Sequence, residues 1–241
     1  MGGPAFWGIA GSPISHSLTP RLFSVVASSL GMRQAEQAFI EATSIEDLES
    51  QVSPLEGDLW LSCTAPLKHS PQSRIGVSGP DGVNAINQLK RSGGRWSGTS
   101  TDGRGFVSAC RHIGMEPSGS ILRMRGGGSA ARSIAAAWSS EGGMIIPVLG
   151  RRRLVSGPWD GSLAESGQAD IAVDLDAAPA GGDSIGMQAE LQVSISYGSG
   201  ASSDEFAVIM VAAQHLEAWR SFFAPQRADG LPGLAEVLSK L

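Results

Sequence analysis

Ser17 and Thr19 flank Leu18 directly before Pro20 in the stretch GIAGSPISHSLTP, residues 8–20. Phe6, Trp7 and Ile9 read as a strand leading into this stretch. Beyond it Leu22, Val25, Val26 and Leu30 recur at helix spacing, and Gly31 closes the pattern. The spacing predicts Thr19 as the N-cap and Pro20 as the first helical residue. Unpaired N–H groups and the positive end of the helix dipole would then face whatever the loop holds. Two hydroxyls at that place form a site for a small anion, most simply a carboxylate. The plainer alternative is that both only cap the helix. The connection is nevertheless longer than the roughly 2–6 residues that usually join a strand to a helix.

Three further stretches carry chemistry. In SCTAPLKH, residues 62–69, Pro66 stops the strand Leu59-Trp60-Leu61 and Lys68 sits two residues beyond. Ligands of open α/β sheets bind outside the carboxyl ends of strands, where a held lysine can donate a proton or stabilise an oxyanion; a solvated surface lysine is the alternative. VNAINQ places Asn84 at a predicted strand start, where its amide can bind hydroxyls. TSTDGRGF sets Asp102 before two glycines and a helix, as a functional carboxylate or as that helix's N-cap.

The elements that must position these residues alternate. Strands are predicted near 6–10, 36–41, 58–63 and 84–90, with helices at 20–30, 45–52 and 103–112. Gly93-Gly94 turns the last of these strands into RWSGTS, and Gly114 and Pro117 mark a domain crossing. A second series follows: strand 121–124, helix 130–140, then strands 144–149, 171–175 and 192–196. A long helix begins near Asp204 and Pro232 opens a short last one. This alternation predicts mostly parallel sheets with helices on both faces.

The 241 residues, 41% of them hydrophobic, suffice for two modest domains. A formal net charge of -5 gives no nucleic-acid surface, and Arg151–Arg153 is too short a run to imply one. Cys63 and Cys110 make neither a disulfide framework nor a metal set, as expected of a reducing cytosol. His16, His69, His112 and His215 have no metal-ligand spacing. No apolar run approaches the roughly 20 residues of a membrane span, and MGGPAFWGIAG lacks the basic segment of a signal peptide. A soluble cytoplasmic protein is expected.

In order and spacing the four stretches resemble the substrate domain of the shikimate dehydrogenase family. Its G-x-P-x-x-H-S-x-S-P-like loop is met by Gly11, Pro13, His16, Ser17, Thr19 and Pro20. Its N-V-T-x-P-x-K is met by Thr64, Pro66 and Lys68, with Ser62 and Cys63 in its first two places. Its V-N-T is matched by Val83 and Asn84, with Ala85 in place of Thr, and its T-D-G-x-G-F by Thr101 to Phe106. The resemblance implies that Ser17 and Thr19 hold a substrate carboxylate, that Lys68 and Asp102 are the catalytic pair, and that Asn84 and Thr64 meet ring hydroxyls.

ILRMRGGGSAARS is similar to the family's strand followed by G-A-G-G-A-A-R. Gly126, Gly128 and Ala131 fit a G-x-G-x-x-[GA] fingerprint, with Ser129 and Ala130 inside it, although Arg123 and Arg125 interrupt what should be a buried apolar strand. Where the family has N-R-[ST], whose Arg clasps the 2′-phosphate of NADP, this chain has Gly150 and three arginines. Arg151 and Arg152 supply that charge and favour NADP over NAD. The family's N-A-T-P appears as Leu175-Asp176-Ala177-Ala178-Pro179, which loses the Asn and Thr, and its Y-x-P as Tyr197-Gly198-Ser199. MVAAQHLEAW resembles L-x-x-Q-[AG]-x-x-x-F-x-x-[WF]; Gln214 matches the glutamine that reaches substrate, or is a buried packing amide.

The resemblance therefore implies an α/β protein of two domains. A substrate domain would span 1–104 plus 205–241, its C-terminal helices returning to it, and a Rossmann-like NADP-binding domain would span 105–204. The implied activity is reversible NADPH-dependent reduction of 3-dehydroshikimate to shikimate by a monomer or homodimer. Quinate or an amino-substituted ring as substrate, or a non-catalytic shikimate-binding relative, are the alternatives.

Overall fold

The computed structural model describes residues 3–69, 71–177 and 185–241. The chain divides into two compact units, Met1–Thr101 with His215–Leu241, and Asp102–Gln214.

In the first unit the elements run β1 (Phe6–Gly11), α1 (Thr19–Ser29), β2 (Glu36–Glu41), α2 (Ile45–Val52), β3 (Leu59–Cys63), α3 (Pro71–Arg74), β4 (Gln88–Ser92) and β5 (Arg95–Thr99). They form one sheet ordered β2-β1-β3-β4-β5. The first three strands are parallel, while β4 and β5 are an antiparallel hairpin turned by Gly93 and Gly94. Strand alternation sorts the core into two faces. Leu59, Leu61 and Cys63 pack with Ile45, Leu48 and Val52 of α2 in an aliphatic layer. Trp60 and Ser62 point the opposite way, into an aromatic layer: Trp7 stacks on Phe23 at 5.6 Å and Trp60 on Phe223 at 5.1 Å, with Trp219 edge-on to Trp60. His215 closes this layer, its ring edge-on to Phe23 at 5.0 Å. The predicted strand 84–90 is displaced to Gln88–Ser92, because Asn84 is left-handed (φ 50) and the Ile86 N–H goes to the Lys68 carbonyl at 2.6 Å rather than to a ladder.

The second unit runs α4 (Asp102–His112), β6 (Ile121–Arg125), α5 (Ser129–Ser140), β7 (Met144–Val148), β8 (Ile171–Asp174), β9 (Leu191–Val193) and the start of α6 (Phe206–Ala218); α6 then carries the chain back to the first unit, which ends with α7 (Leu234–Leu238). Its sheet is fully parallel, ordered β7-β6-β8-β9. The last strand stops at Val193, short of the predicted 196, because the Ser194 hydroxyl and Ser196 backbone bond each other. The expectation of helices on both faces is met here only in part among the described residues. Among the described residues, the connection 149–170 holds only one short helical turn, Asp160–Ser162. It runs beside β7 through an Ile145–Leu163 bridge, and Arg123 donates to the Gly167 carbonyl at 2.8 Å. Arg123 and Arg125 thus occupy the half-buried side of β6, while Leu122 and Met124 face the core.

The D-G-R-G-F motif is explained by helix packing. A Cβ on Gly103 would lie 1.9 Å from the Ser133 carbonyl oxygen of α5, and one on Gly105 would lie 2.8 Å from the Gln214 backbone nitrogen of α6. Phe106, beside them, meets Trp138 and Phe206 edge-on. Among the described residues, no helix is long and apolar enough to cross a membrane.

Gly103→Ala and Gly105→Ala should each lower unfolding free energy by about 1–3 kcal/mol or more in urea titrations, because backbone atoms must move. Gly161→Ala, with nothing within 4 Å of its Cβ, should stay within about 0.5 kcal/mol. A second expectation concerns pH. Burial pulls the His215 imidazole from its ordinary 6.5 down to about 3. The unfolded chain therefore binds the proton first, so stability is full above pH 6.5 and falls as pH drops toward 3, by up to about 1.4 kcal/mol per pH unit. His215→Phe should flatten that slope in urea titrations run between these pH values.

Candidate functional site

In the first sheet the chain steps from β1 outward to β2, then returns to place β3 on the other side of β1. The loops after β1 and β3 therefore leave the same end of two adjacent parallel strands in opposite directions. This is the switch point at which open α/β sheets bind ligands. Two bonds join the loops: Thr64 N–H donates to the Ala10 carbonyl at 2.9 Å, and Ser12 N–H to the Ala65 carbonyl at 2.9 Å. Gly11 lies between them at φ +139, where a Cβ would fall 2.4 Å from Thr64 Cγ2 and 2.7 Å from the Ala65 oxygen. Ser17, Thr19, Thr64 and Lys68 are thereby gathered at one edge. The Lys68 carbonyl receives the Ile86 N–H, which ties the 84–87 segment to the same edge.

The details correct two expectations. Thr19 is not the N-cap. Leu18 already has helical backbone angles, so Thr19 lies inside the first turn, buried, and its N–H donates to Ser17 Oγ at 3.3 Å. Asn84 is not at a strand start but is an exposed left-handed residue four positions before β4. The asparagine buried at this edge is Asn87, whose Oδ1 accepts the Thr101 N–H at 2.7 Å and whose backbone carbonyl accepts the Cys63 N–H at 2.7 Å. Ile86-Asn87 is a second apolar–Asn pair three residues on, the signal that could have found it.

A buried polar chain lies beneath the hydroxyl pair. His215 Nε2 is 3.2 Å from Thr19 Oγ1 and 3.4 Å from Ser62 Oγ. Ser62 donates to Gln88 Oε1 at 2.8 Å, and Gln88 Nε2 donates to Thr101 Oγ1 at 3.1 Å. Neither His215 nor Gln88 stands out in the sequence. Cys63 and Cys110 are buried thiols, each pushed up to about 12 by desolvation, and so are poor nucleophiles.

Asp102, Tyr197 and Gln214 are carried by the second unit. Asp102 is the first residue of α4 and fully buried; Gln214 and Tyr197 are half-buried. In the same unit the chain switches direction at β6, leaving β7 on one side and β8 on the other. Gly126 (φ +104) ends β6 and Gly128 is the N-cap of α5, with open space where its Cβ would stand. The backbone N–H groups of Ser129, Ala130 and Ala131 open this 12-residue helix. Arg132 folds back onto the Gly127 carbonyl at 3.1 Å, and burial together with neighbouring Arg152 lowers its pKa. An open glycine, a helix N-terminus and two close guanidiniums fit a dinucleotide phosphate. Arg132, in the first turn of this helix, is the Arg that closes the stretch similar to G-A-G-G-A-A-R; the sequence assigns it no role of its own.

Arg151 is engaged differently from Arg152. Its backbone N–H bonds the Asp176 carboxylate, and its guanidinium lies 3.7 Å from Asp176 Oδ1. Asp174 pairs with Arg125 at 3.0 Å. Burial would raise the Asp174 carboxyl, but N–H donation from Ile185 and Asp176 and the Arg125 charge hold it below its ordinary value. Ala178 and Pro179 lie outside the described residues. Among those described, no group of His, Cys, Asp or Glu forms a metal site.

No family model matches the chain. It is 32% identical over 138 residues to a shikimate dehydrogenase (NADP(+)) of Syntrophomonas wolfei, covering 56% of this chain and 47% of that one. It is 29% identical over 192 residues to one of Rubrobacter xylanophilus, covering 69% and 66%. The chain spans about half the length of most curated relatives it matches. Among solved structures, shikimate 5-dehydrogenase from Thermus thermophilus, in complex with NADP(H) and shikimate, superposes with a TM-score of 0.74 over 98% of this chain and 97% of that one, at 20% identity. Alone, that likeness speaks for the fold. The sequence matches join it in pointing to the shikimate dehydrogenases as the proteins this chain is similar to.

Proposed function

We propose that this protein is an NADP-dependent oxidoreductase that interconverts 3-dehydroshikimate and shikimate. The observation that carries the reading is the joining of the β1 and β3 loops at one switch point, which sets a hydroxyl pair, Thr64 and Lys68 along one edge. Ser17 and Thr19 bind the ring carboxylate; Thr64 and an asparagine of the 84–87 segment bind ring hydroxyls, with Gln214 and Tyr197 as further substrate contacts. NADPH, when bound, supplies the hydride. As the ketone oxygen gains negative charge, Lys68 stabilises it and delivers the proton, and Asp102 orients the ammonium and binds a neighbouring hydroxyl. Such aid is strongest in the transition state, so it acts on turnover rather than on binding.

Gly126, Gly128, Ser129, Ala130 and Ala131 would hold the pyrophosphate. Arg151 and Arg152 would meet the 2′-phosphate; the nearness of Arg152 to Arg132 supports its part, and Arg151 also faces Asp176. A charge of -5 and the lack of a basic patch in the sequence support a small-molecule partner over nucleic acid, and two buried free thiols suit the cytoplasm.

With NADP and shikimate, reduced nicotinamide should accumulate, and quinate should be the poorer substrate. Lys68→Ala should cut kcat roughly 10²–10³-fold while shikimate still binds; near-normal kcat in that variant would remove Lys68 from the proton transfer. Arg152→Ala should weaken NADP far more than NAD, with Arg151→Ala the milder change. Equal use of NAD and NADP by the wild type would overturn the assignment of the 2′-phosphate.

A further inference from the structure

His215 occupies the place where the family's helix pattern carries Ala or Gly, and Ser62 the place where its strand-end pattern carries Asn. The fold brings these two departures together: one imidazole nitrogen, Nε2, lies 3.2 Å from Thr19 Oγ1 and 3.4 Å from Ser62 Oγ. The three residues come from α6, α1 and β3, and all are buried.

Donor accounting fixes the direction of these bonds. The Thr101 N–H is an unambiguous donor and claims Asn87 Oδ1. The Thr101 hydroxyl turns its proton to the same oxygen at 3.3 Å, and its lone pairs accept from Asn87 Nδ2 at 3.2 Å and from Gln88 Nε2 at 3.1 Å. Gln88 Oε1 therefore faces Ser62 and takes that hydroxyl's proton at 2.8 Å. Ser62 Oγ is left as an acceptor toward His215, which requires a proton on Nε2. The other ring nitrogen agrees: among the described residues Nδ1 is buried with no hydrogen-bond partner, beside an aromatic layer. A bare acceptor there costs less than an orphaned N–H. The depressed pKa of His215 keeps the ring neutral, with a single proton to place.

We infer that His215 is a positioning residue: its Nε2–H, shared between Ser62 Oγ and the nearer Thr19 Oγ1, makes Thr19 an acceptor and so turns the Thr19 hydroxyl proton outward, to a ligand carboxylate. This rests on the reading of Ser17 and Thr19 as the carboxylate clamp. With the opposite tautomer, Nε2 would accept the Thr19 proton and present a lone pair to an anion. Ser17 follows the same rule without a histidine, because its oxygen accepts the Thr19 N–H and its proton is left for the ligand. Both hydroxyls are thus held as acceptors from the protein and donors to the ligand. One buried ring sets the polarity of the second.

Nitrogen NMR of the ligand-free protein with labelled histidine, at neutral pH, reads the tautomer directly. A proton on Nε2 is expected, and a proton on Nδ1 overturns the proposal whatever the protein binds. Functionally, His215→Phe keeps the ring packed on Phe23 but removes the donor. It should raise the KM and Kd for shikimate roughly threefold to tenfold, with kcat changed by less than about twofold. His215→Gln, whose amide nitrogen can reach the Nε2 place, should restore most of the affinity. In a Thr19→Val background His215→Phe should cost nothing further. If Thr19→Val weakens shikimate binding but His215→Phe does not, the role of His215 falls and the clamp stands. If the wild type binds no shikimate, or binds it equally well as Thr19→Val, the clamp falls and this role with it. Should His215→Phe fail to fold, the tautomer and the Gln variant decide.

Discussion

Two hydrogen bonds across the seam of β1 and β3, Thr64 to Ala10 and Ser12 to Ala65, hold the ends of two parallel strands together where β3 and then β1 give way to loop. A parallel sheet forces its connections to leave from the same edge, and a change of winding direction forces adjacent ones apart. The space so opened is a consequence of topology, and these bonds keep its two walls in register. A side chain at Gly11 would break the seam, since its Cβ would overlap Thr64 and the Ala65 carbonyl. What the proposed carboxylate clamp and Lys68 have in common is this edge.

Below the edge, the first unit solves a problem of polarity. Its sheet face toward α1 is lined by Trp7, Phe23, Trp60, Trp219 and Phe223, yet Ser62, Gln88, Thr101 and His215 are buried close by. These polar groups survive burial because each satisfies another in sequence, ending on backbone N–H groups whose direction is fixed. The aromatic layer excludes water and so keeps the imidazole neutral. Hydrophobic packing and hydrogen-bond direction are here the same constraint seen from two sides.

The second unit is lopsided. On one side of its parallel sheet α5 supplies Ala131, Ile134, Ala135 and Trp138 to the core; along the other runs an irregular connection with one short helical turn. A strand face packed against irregular chain meets carbonyl and carboxylate acceptors there, which is why β6 can alternate half-buried arginine with buried Leu122 and Met124. Arg125 neutralises the buried Asp174, and that carboxylate in turn orders the backbone at Asp176 and Ile185.

Much of this is legible in the chain itself. β2 and α2 begin and end where periodicity puts them, at 36–41 and 45–52, because an alternating edge strand and a Ser-capped amphipathic helix are decided by neighbours in sequence. The glycines of T-D-G-R-G-F can be seen but not explained, since Ser133 and Gln214 that press on them lie 30 and 109 residues away. Thr19 reads as a cap, wrongly, because helix entry depends on the backbone angles of Leu18, which no residue type dictates. Asn84 and Asn87 are equivalent in composition; the left-handed turn at one and the Thr101 bond at the other tell them apart. His215, with no metal-ligand spacing, is marked in the sequence only as a departure from the Ala or Gly of the family's helix pattern. By itself the sequence determined the strand and helix order, the hydroxyl pair, the lysine and the glycine loop, because these are local patterns with local causes. Which way each buried proton points was left to tertiary structure, since a hydrogen-bond direction is set by partners that only folding brings within about 3.5 Å.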